Sequence, residues 1–251
     1  TVVAPVTDIQ SLGLEGGTDV EVIGWRDGEN PYKPVAERLS SGTVGLSSSL
    51  TADHVFALQA LLPATELASD AVAELFMVKD DEEAVELAKA CAAIDRVHER
   101  AADLLQPGRT EREIADELHA LILEEHESVS FVIVGSGPNG SNPHHDFSDR
   151  VLEEGDPVVV DLGGALPSGY QSDCTRTHVV GETAKAPKDF LEAYAVLERA
   201  FDAACAAAKP GITAGELDAA AREVIADAGY GEYFTHRLGP VSYTHLRAHE
   251  T

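Results

Sequence analysis

Apolar and polar positions fall into two regimes along this chain. Toward the N-terminus, short β-branched or aromatic runs at Val2–Val6, Val20–Trp25 and Thr43–Leu46 alternate with helical stretches near Pro34–Leu39 and Thr51–Leu62. Runs that switch between the two periods in this way predict an α/β module. From Asp80 to Leu105 the sequence DDEEAVELAKACAAIDRVHERAADLL takes up a sustained helical spacing. Its acidic opening suits the positive end of a helix dipole. The start of that helix is the expected domain boundary.

Beyond it the pattern repeats. QPGRTEREIADELHALI (Gln106–Ile122) matches KPGITAGELDAAAREVI (Lys209–Ile225) at an offset of 103 residues. The copies share Pro-Gly, a Thr and a Glu three positions after it. Thr110 with Glu113, and Thr213 with Glu216, each spell a capping box, in which the hydroxyl accepts a first-turn N–H and the Glu reaches back to the cap amide. Each copy lies between a long helix (Asp80–Leu105; Asp189–Ala208) and a strand candidate (Ser130–Val134; Tyr230–Thr235). Two helix–turn–helix–strand halves in one domain would leave a cleft between their sheets.

The densest chemistry lies in VVVDLGGALPSGYQSDCTRT (Val158–Thr177). A β-branched run, a Pro/Gly turn and a second polar-apolar run predict a β-hairpin. With the turn centred near Pro167, Asp161 and Asp173 face each other across the strands, at a Cβ separation of about 5 Å. Two carboxylates so placed repel unless something positive sits between them, and a bound cation is the simplest answer. A single strand-end Asp is more often a turn or cap residue; the symmetry of the two favours ligation. Arg176 on the second strand offers the competing explanation, neutralisation without metal. Upstream, the Gly/Pro/Asn-rich loop SGPNGSNPHHDFSD (Ser136–Asp149) leads into the same hairpin and carries His144, placed to hold a substrate or shuttle a proton.

Charge narrows the partners. The 251 residues carry 44 Asp plus Glu against 18 Lys plus Arg, a formal net charge of -26. Such a surface repels nucleic acid and anionic membranes, and no Lys/Arg cluster offsets it. Only six of the basic residues are Lys, a composition resembling proteins of salt-loving archaea, although an ordinary acidic surface gives the same numbers. Cys91, Cys174 and Cys205 are widely spaced and odd in number, which fits neither a disulfide framework nor a zinc ribbon. With no membrane-length apolar run and no signal segment, the expectation is a soluble, cytoplasmic protein. Thr1 opens directly in a strand-like run, so the sequence reads as beginning inside a domain.

The series NPHHDFSDRVLEEGDPVVVDLGG, then GYQSDCTRT, then FTHRLG closely resembles the metallopeptidase family of Xaa-Pro dipeptidases and Xaa-Pro aminopeptidases. The resemblance implies an α/β (α+β) chain: a partial creatinase-like N-terminal domain over residues 1–78 and a truncated pita-bread catalytic domain over 79–239. MVKDDEEAVELAKA resembles the junction. It further implies two divalent metal ions, manganese with cobalt or zinc as alternatives, which activate a shared water to cleave the bond before proline. By position, Asp161 becomes a ligand to one metal and Asp173 the bridging carboxylate. His144 matches the substrate-binding histidine, and His236 the accessory histidine before the ligand histidine. The implied partner is a proline-containing peptide. Pairing as a homodimer stays open, since the N-terminal domain that often mediates it is incomplete.

The sequence also departs from that family. Pro240 follows Gly239 where a ligand His is expected, and two downstream glutamates have no counterpart before Thr251. The tail PVSYTHLRAHET (240–251) changes character and resembles a spurious translated adapter; its HLRAHE is not the zinc motif HExxH. With two of five ligands, the chain as written is expected to have little or no activity. The rival readings are a metal-free pita-bread binding module and creatinase-like, metal-free hydrolysis, both disfavoured by retention of the two aspartates.

Overall fold

Parallel strands need a crossover between them, and the N-terminal region supplies one in miniature. The computed structural model describes residues 1–12, 20–39, 41–69, 72, 75 and 78–239. A first compact unit covers Thr1–Val78 and a second begins at Lys79. In the first, β1 (Val2–Pro5) pairs in parallel with β2 (Val22–Trp25). After α1 (Lys33–Arg38), β3 (Val44–Leu46) and β4 (Thr65–Leu67) pair in parallel around α2 (Ala52–Gln59). Leu46, Leu58 and Leu62 form its small core, with Tyr32 and Val35 against them. The sequence pattern misses β4, three residues with Glu66 at their centre, which have no periodicity of their own and are strand only through pairing with β3.

The second unit opens with α3 (Asp81–Leu104), capped by Asp80, whose side chain accepts from the Glu83 amide while Glu83 returns to the Asp80 amide. Next comes α4 (Glu111–Glu125), and then an antiparallel sheet of β5 (Ser128–Ser136), β6 (Pro157–Ala165) and β7 (Cys174–Val179), in that order across the sheet. A second helix pair follows, α5 (Lys188–Ala207) and α6 (Ala214–Asp227). Both repeat copies form their capping boxes. The Thr110 and Thr213 hydroxyls each accept from the third helical amide at 3.2 Å, and Glu113 and Glu216 accept from the cap amides at 2.8 and 2.9 Å. The shared Pro-Gly has a backbone cause. Gly108 and Gly211 stand at φ of 90° and 94°, where an L side chain is strained.

Alternation along β6 decides which face is core. Val158, Val160 and Leu162 are fully buried against Ile94, Val97 and Ala101 of α3 and Ile114, Leu118 and Ile122 of α4. Burying each such side chain contributes about 1.5–3 kcal/mol. The opposite face carries Val159 and Asp161, both only partly buried. In the second helix pair the core is smaller and Ala-rich, Val196, Ala200 and Ala204 meeting Ala221 and Ile225.

One expected strand does not form. Tyr230–Thr235 contains a single 3-10 turn, Gly231–Tyr233, instead of an extended segment. Gly229, in the left-handed region at φ 88°, turns the chain at the end of α6, and among the described residues no strand lies beside it to pair with. The expectation for 240–251 lies outside the described residues. Among the described residues no helix is long and apolar enough to cross a membrane.

Candidate metal centre

Asp161 sits in the central strand, with Ile133 of β5 on one side and Thr175 of β7 on the other. The direct partner across the hairpin is therefore Thr175, and the expected Asp161–Asp173 face-off is corrected. The turn is closed by hydrogen bonds from the Leu166 amide to the Tyr170 carbonyl (2.9 Å) and from the Gly169 amide to the Leu166 carbonyl (2.8 Å), with Gly169 at φ 81°. That closure centres the hairpin on Ser168, one residue later than Pro167. Leu162 pairs with Cys174, and the isolated bridge between Ala165 and Gln171 continues the same register, so Asp173 lies across from Gly163. A two-residue displacement preserves the face, because side chains alternate with a period of two. The carboxylates are diagonal neighbours on one face, a relationship that spans about 7 Å.

Asp173 precedes β7, and the residues before it hold it in register. The Ser172 amide donates to the Gly164 carbonyl (2.8 Å), and the Gly164 amide donates to the Ser172 hydroxyl (3.1 Å). That hydroxyl also meets Nε2 of buried His126 at 2.9 Å. Ser130 donates to the Gln171 side-chain carbonyl at 2.5 Å.

The electrostatics follow from this packing. Burial pushes the Asp161 carboxyl above its ordinary range; the Thr175 hydroxyl, donating at 2.6 Å, pulls against it, and the charge of Asp173 adds to the rise. Arg176 does not answer that charge at Asp161. It pairs with Val160, on the core side of the strand. Its guanidinium donates to Cys174 Sγ (3.0 Å) and the Thr175 carbonyl (2.9 Å) and lies 3.6 Å from Asp95 of α3.

The two histidines read from the sequence are both exposed. His144 is exposed in the loop after β5, its amide donating to Asn142 Oδ1 at 3.1 Å. His236 is exposed beyond α6, its ring edge against Phe234 and its carbonyl accepting from Arg222 at 2.8 Å. Among the described residues no group of three or more His, Cys, Asp or Glu side chains converges as a metal site. The aspartate pair fits a divalent cation in donor type, and the negative charge of Asp173 bears on the half-buried Asp161 carboxyl beside it. It supplies part of a coordination set, and no third such side chain among the described residues completes it.

Sequence reading misses Glu111. This residue, fully buried in the first turn of α4, accepts hydrogen bonds from Ser136, Asn139, His145 and Ser148. Burial alone would raise its pKa, yet the donated bonds of Ser136, Ser148 and His145 bring it down to about 2. Beside it Arg150 forms a bidentate pair with Asp156 (2.6 and 3.0 Å) and donates to the Ser136 hydroxyl (2.7 Å). An acidic residue in a helix's first turn needs no explanation beyond the dipole. The available signal was the crowd of short polar donors in the 136–148 loop, which required a buried acceptor.

Comparison with known proteins agrees with this architecture. Residues 85–250 match the model of Metallopeptidase family M24. The probable dipeptidase PepE of Mycobacterium bovis is 45% identical over 244 residues, covering 95% of this chain and 64% of that protein. A Xaa-Pro dipeptidase of Lactobacillus delbrueckii subsp. lactis is 38% identical over 234 residues, covering 88% of this chain and 62% of its own length. The crystal structure of dipeptidase PepE from Mycobacterium ulcerans superposes with a TM-score of 0.87 at 45% identity, over 93% of this chain and 64% of that one. The chain belongs to metallopeptidase family M24, and its second unit has the family's pita-bread fold. It spans a little under two thirds of the length of these relatives.

Proposed function

We propose that the protein to which this chain belongs is a metallopeptidase that hydrolyses the peptide bond preceding proline, as a Xaa-Pro dipeptidase or aminopeptidase, with two divalent ions, manganese first among them. The observation that carries the reading is the same-face pair Asp161 and Asp173 in an M24 chain, the first with its carboxyl raised by burial and by the second. Bound divalent ions supply a lowered pKa for water and an electrophile for a carbonyl oxygen. Asp161 and Asp173 would hold them. Thr175 orients the Asp161 carboxylate by donating to its Oδ1, while the Ser172–His126 anchor fixes the backbone ahead of Asp173. His144, exposed beside the sheet end, would contact the substrate, and His236 would assist from the second half. Proline's tertiary amide has no N–H, so selection would rest on pocket shape and on groups gripping the peptide ends.

The 251-residue chain itself is proposed to turn over little or no substrate, because two carboxylates are a fraction of the ligands such chemistry needs. The test is hydrolysis of Ala-Pro with added Mn²⁺ at high salt, alongside calorimetric Mn²⁺ titration of the same chain. Weak Mn²⁺ binding that disappears in Asp161→Asn, without appreciable turnover, is the expected result. Robust turnover would refute the inactivity of the chain; Xaa-Pro peptide binding indifferent to divalent ions would replace the peptidase reading with that of a binding module.

A further inference from the structure

The loop that carries His144 has almost no regular structure of its own. Between β5 and β6 it contains one 3-10 turn, Gly137–Ser141, and then an irregular return through 142–150. Glu111 holds both ends of it. Oε1 accepts from the Ser136 amide (2.7 Å), the Ser136 hydroxyl (2.6 Å) and the Asn139 side chain (3.0 Å). Oε2 accepts from the Ser148 amide (2.8 Å) and hydroxyl (2.7 Å), from Asn139 (3.2 Å) and from Nε2 of His145 (2.9 Å). Ser136 closes the outgoing strand and Ser148 the returning segment, so one carboxylate ties the two stems together.

The contact with His145 has a consequence for its neighbour. An ionised carboxylate only accepts, so Nε2 of His145 carries a hydrogen and the ring is drawn inward, leaving its side chain 18% exposed. His144, next to it, stays exposed. We propose that Glu111 is a positioning residue of the site: by clamping Ser136, Asn139, His145 and Ser148 it fixes the loop so that His144 is presented outward in one place. Its interest for substrate binding rests on the peptidase reading; the clamp does not.

Hydrogen–deuterium exchange on the metal-free full chain separates the two. In Glu111→Gln, amides of 137–147 should exchange at least about tenfold faster, a loss matching one or two charge-assisted hydrogen bonds, while the cores of α3 and β6 stay unchanged. Unaltered loop exchange, or equal acceleration of loop and core, overturns the proposal, the latter because Glu111 would then merely support the fold. Should Glu111→Gln fail to fold, His145→Phe and Ser148→Ala each remove one strut and are judged by the same comparison. A second readout follows the His144 ring by NMR during titration with Ala-Pro, where the variant should need about ten times more peptide than wild type, about 1.4 kcal/mol. Equal midpoints overturn the claim that the clamp sets His144. A wild-type ring that ignores the peptide removes His144 from the peptidase reading and leaves the clamp to be decided by exchange.

Discussion

Thr175 stands directly across the hairpin from Asp161 and donates its hydroxyl to that carboxylate at 2.6 Å. It is the counterweight to burial at the candidate metal centre. Thr175→Val keeps the shape and deletes the donor, so the Asp161 pKa should climb further, at a cost of about 1 kcal/mol in stability. A carboxyl-carbon NMR titration paired with thermal unfolding reads both. An Asp161 titration identical to wild type would show that the hydroxyl is a bystander.

Asp161 itself should weaken the metal-free fold at neutral pH. A carboxyl whose folded pKa is raised contributes stability below its unfolded pKa and loses that contribution as pH rises through the folded value. Asp161→Asn removes this burden. The variant's melting temperature without metal should therefore exceed wild type at pH 7, by ~2–4 °C per kcal/mol relieved, and the difference should vanish in acid. The same variant should lose any Mn²⁺-induced rise in melting temperature. A melting point below wild type at pH 7 contradicts the assignment of Asp161 as a strained carboxylate.

Glu111 has the opposite sign. Its pKa falls from 4.5 to about 2, so its contribution is present above pH 4.5 and is lost as the pH drops toward 2. The gap in loop-opening free energy between wild type and Glu111→Gln should be widest near neutrality and should close across that interval. Hydrogen exchange of the 137–147 amides at several pH values measures it. A gap independent of pH would mean that the charge is irrelevant.

Gly163 faces Asp173, and a methyl group there has no room. A Cβ would lie 2.3 Å from Cε1 of Phe131 and 2.8 Å from the Ser172 carbonyl. Gly163→Ala should cost about 1–3 kcal/mol and shift Asp173 away from Asp161. Thermal unfolding with Mn²⁺ titration checks both; wild-type behaviour in each would disprove the tight approach.

The repeat makes a quantitative claim as well. Thr110→Ala and Thr213→Ala should each cost about 1 kcal/mol, and the two losses should add, since the capped helices belong to separate cores. Denaturant unfolding of the single and double variants decides it, and strong non-additivity would show that the two caps interact energetically.

Much of the architecture was legible because its causes are local. The caps at Thr110 and Thr213 need only residues three positions apart, and Gly108 and Gly211 declare themselves through a φ that other residues avoid. The hairpin was legible to within one residue of its centre. The closing hydrogen bonds around Leu166, Gly169 and Tyr170 chose Ser168, and that choice exchanged Asp173 for Thr175 as the partner of Asp161. Tyr230–Thr235 looked like a strand, but extended structure depends on a neighbour, and none lies beside it among the described residues.

The amino-acid sequence by itself determined the helices, their caps, the membership of Asp161 and Asp173 in one hairpin, and a resemblance to the M24 peptidases, since each depends on spacing along the chain. Only the tertiary structure decided that the aspartates meet diagonally, that Arg176 turns toward Asp95, and that Glu111 gathers donors 25 to 37 residues away. Those relations arise from register and burial, where a one-residue change in a turn or a side chain hidden from water alters the energy while leaving the local pattern untouched.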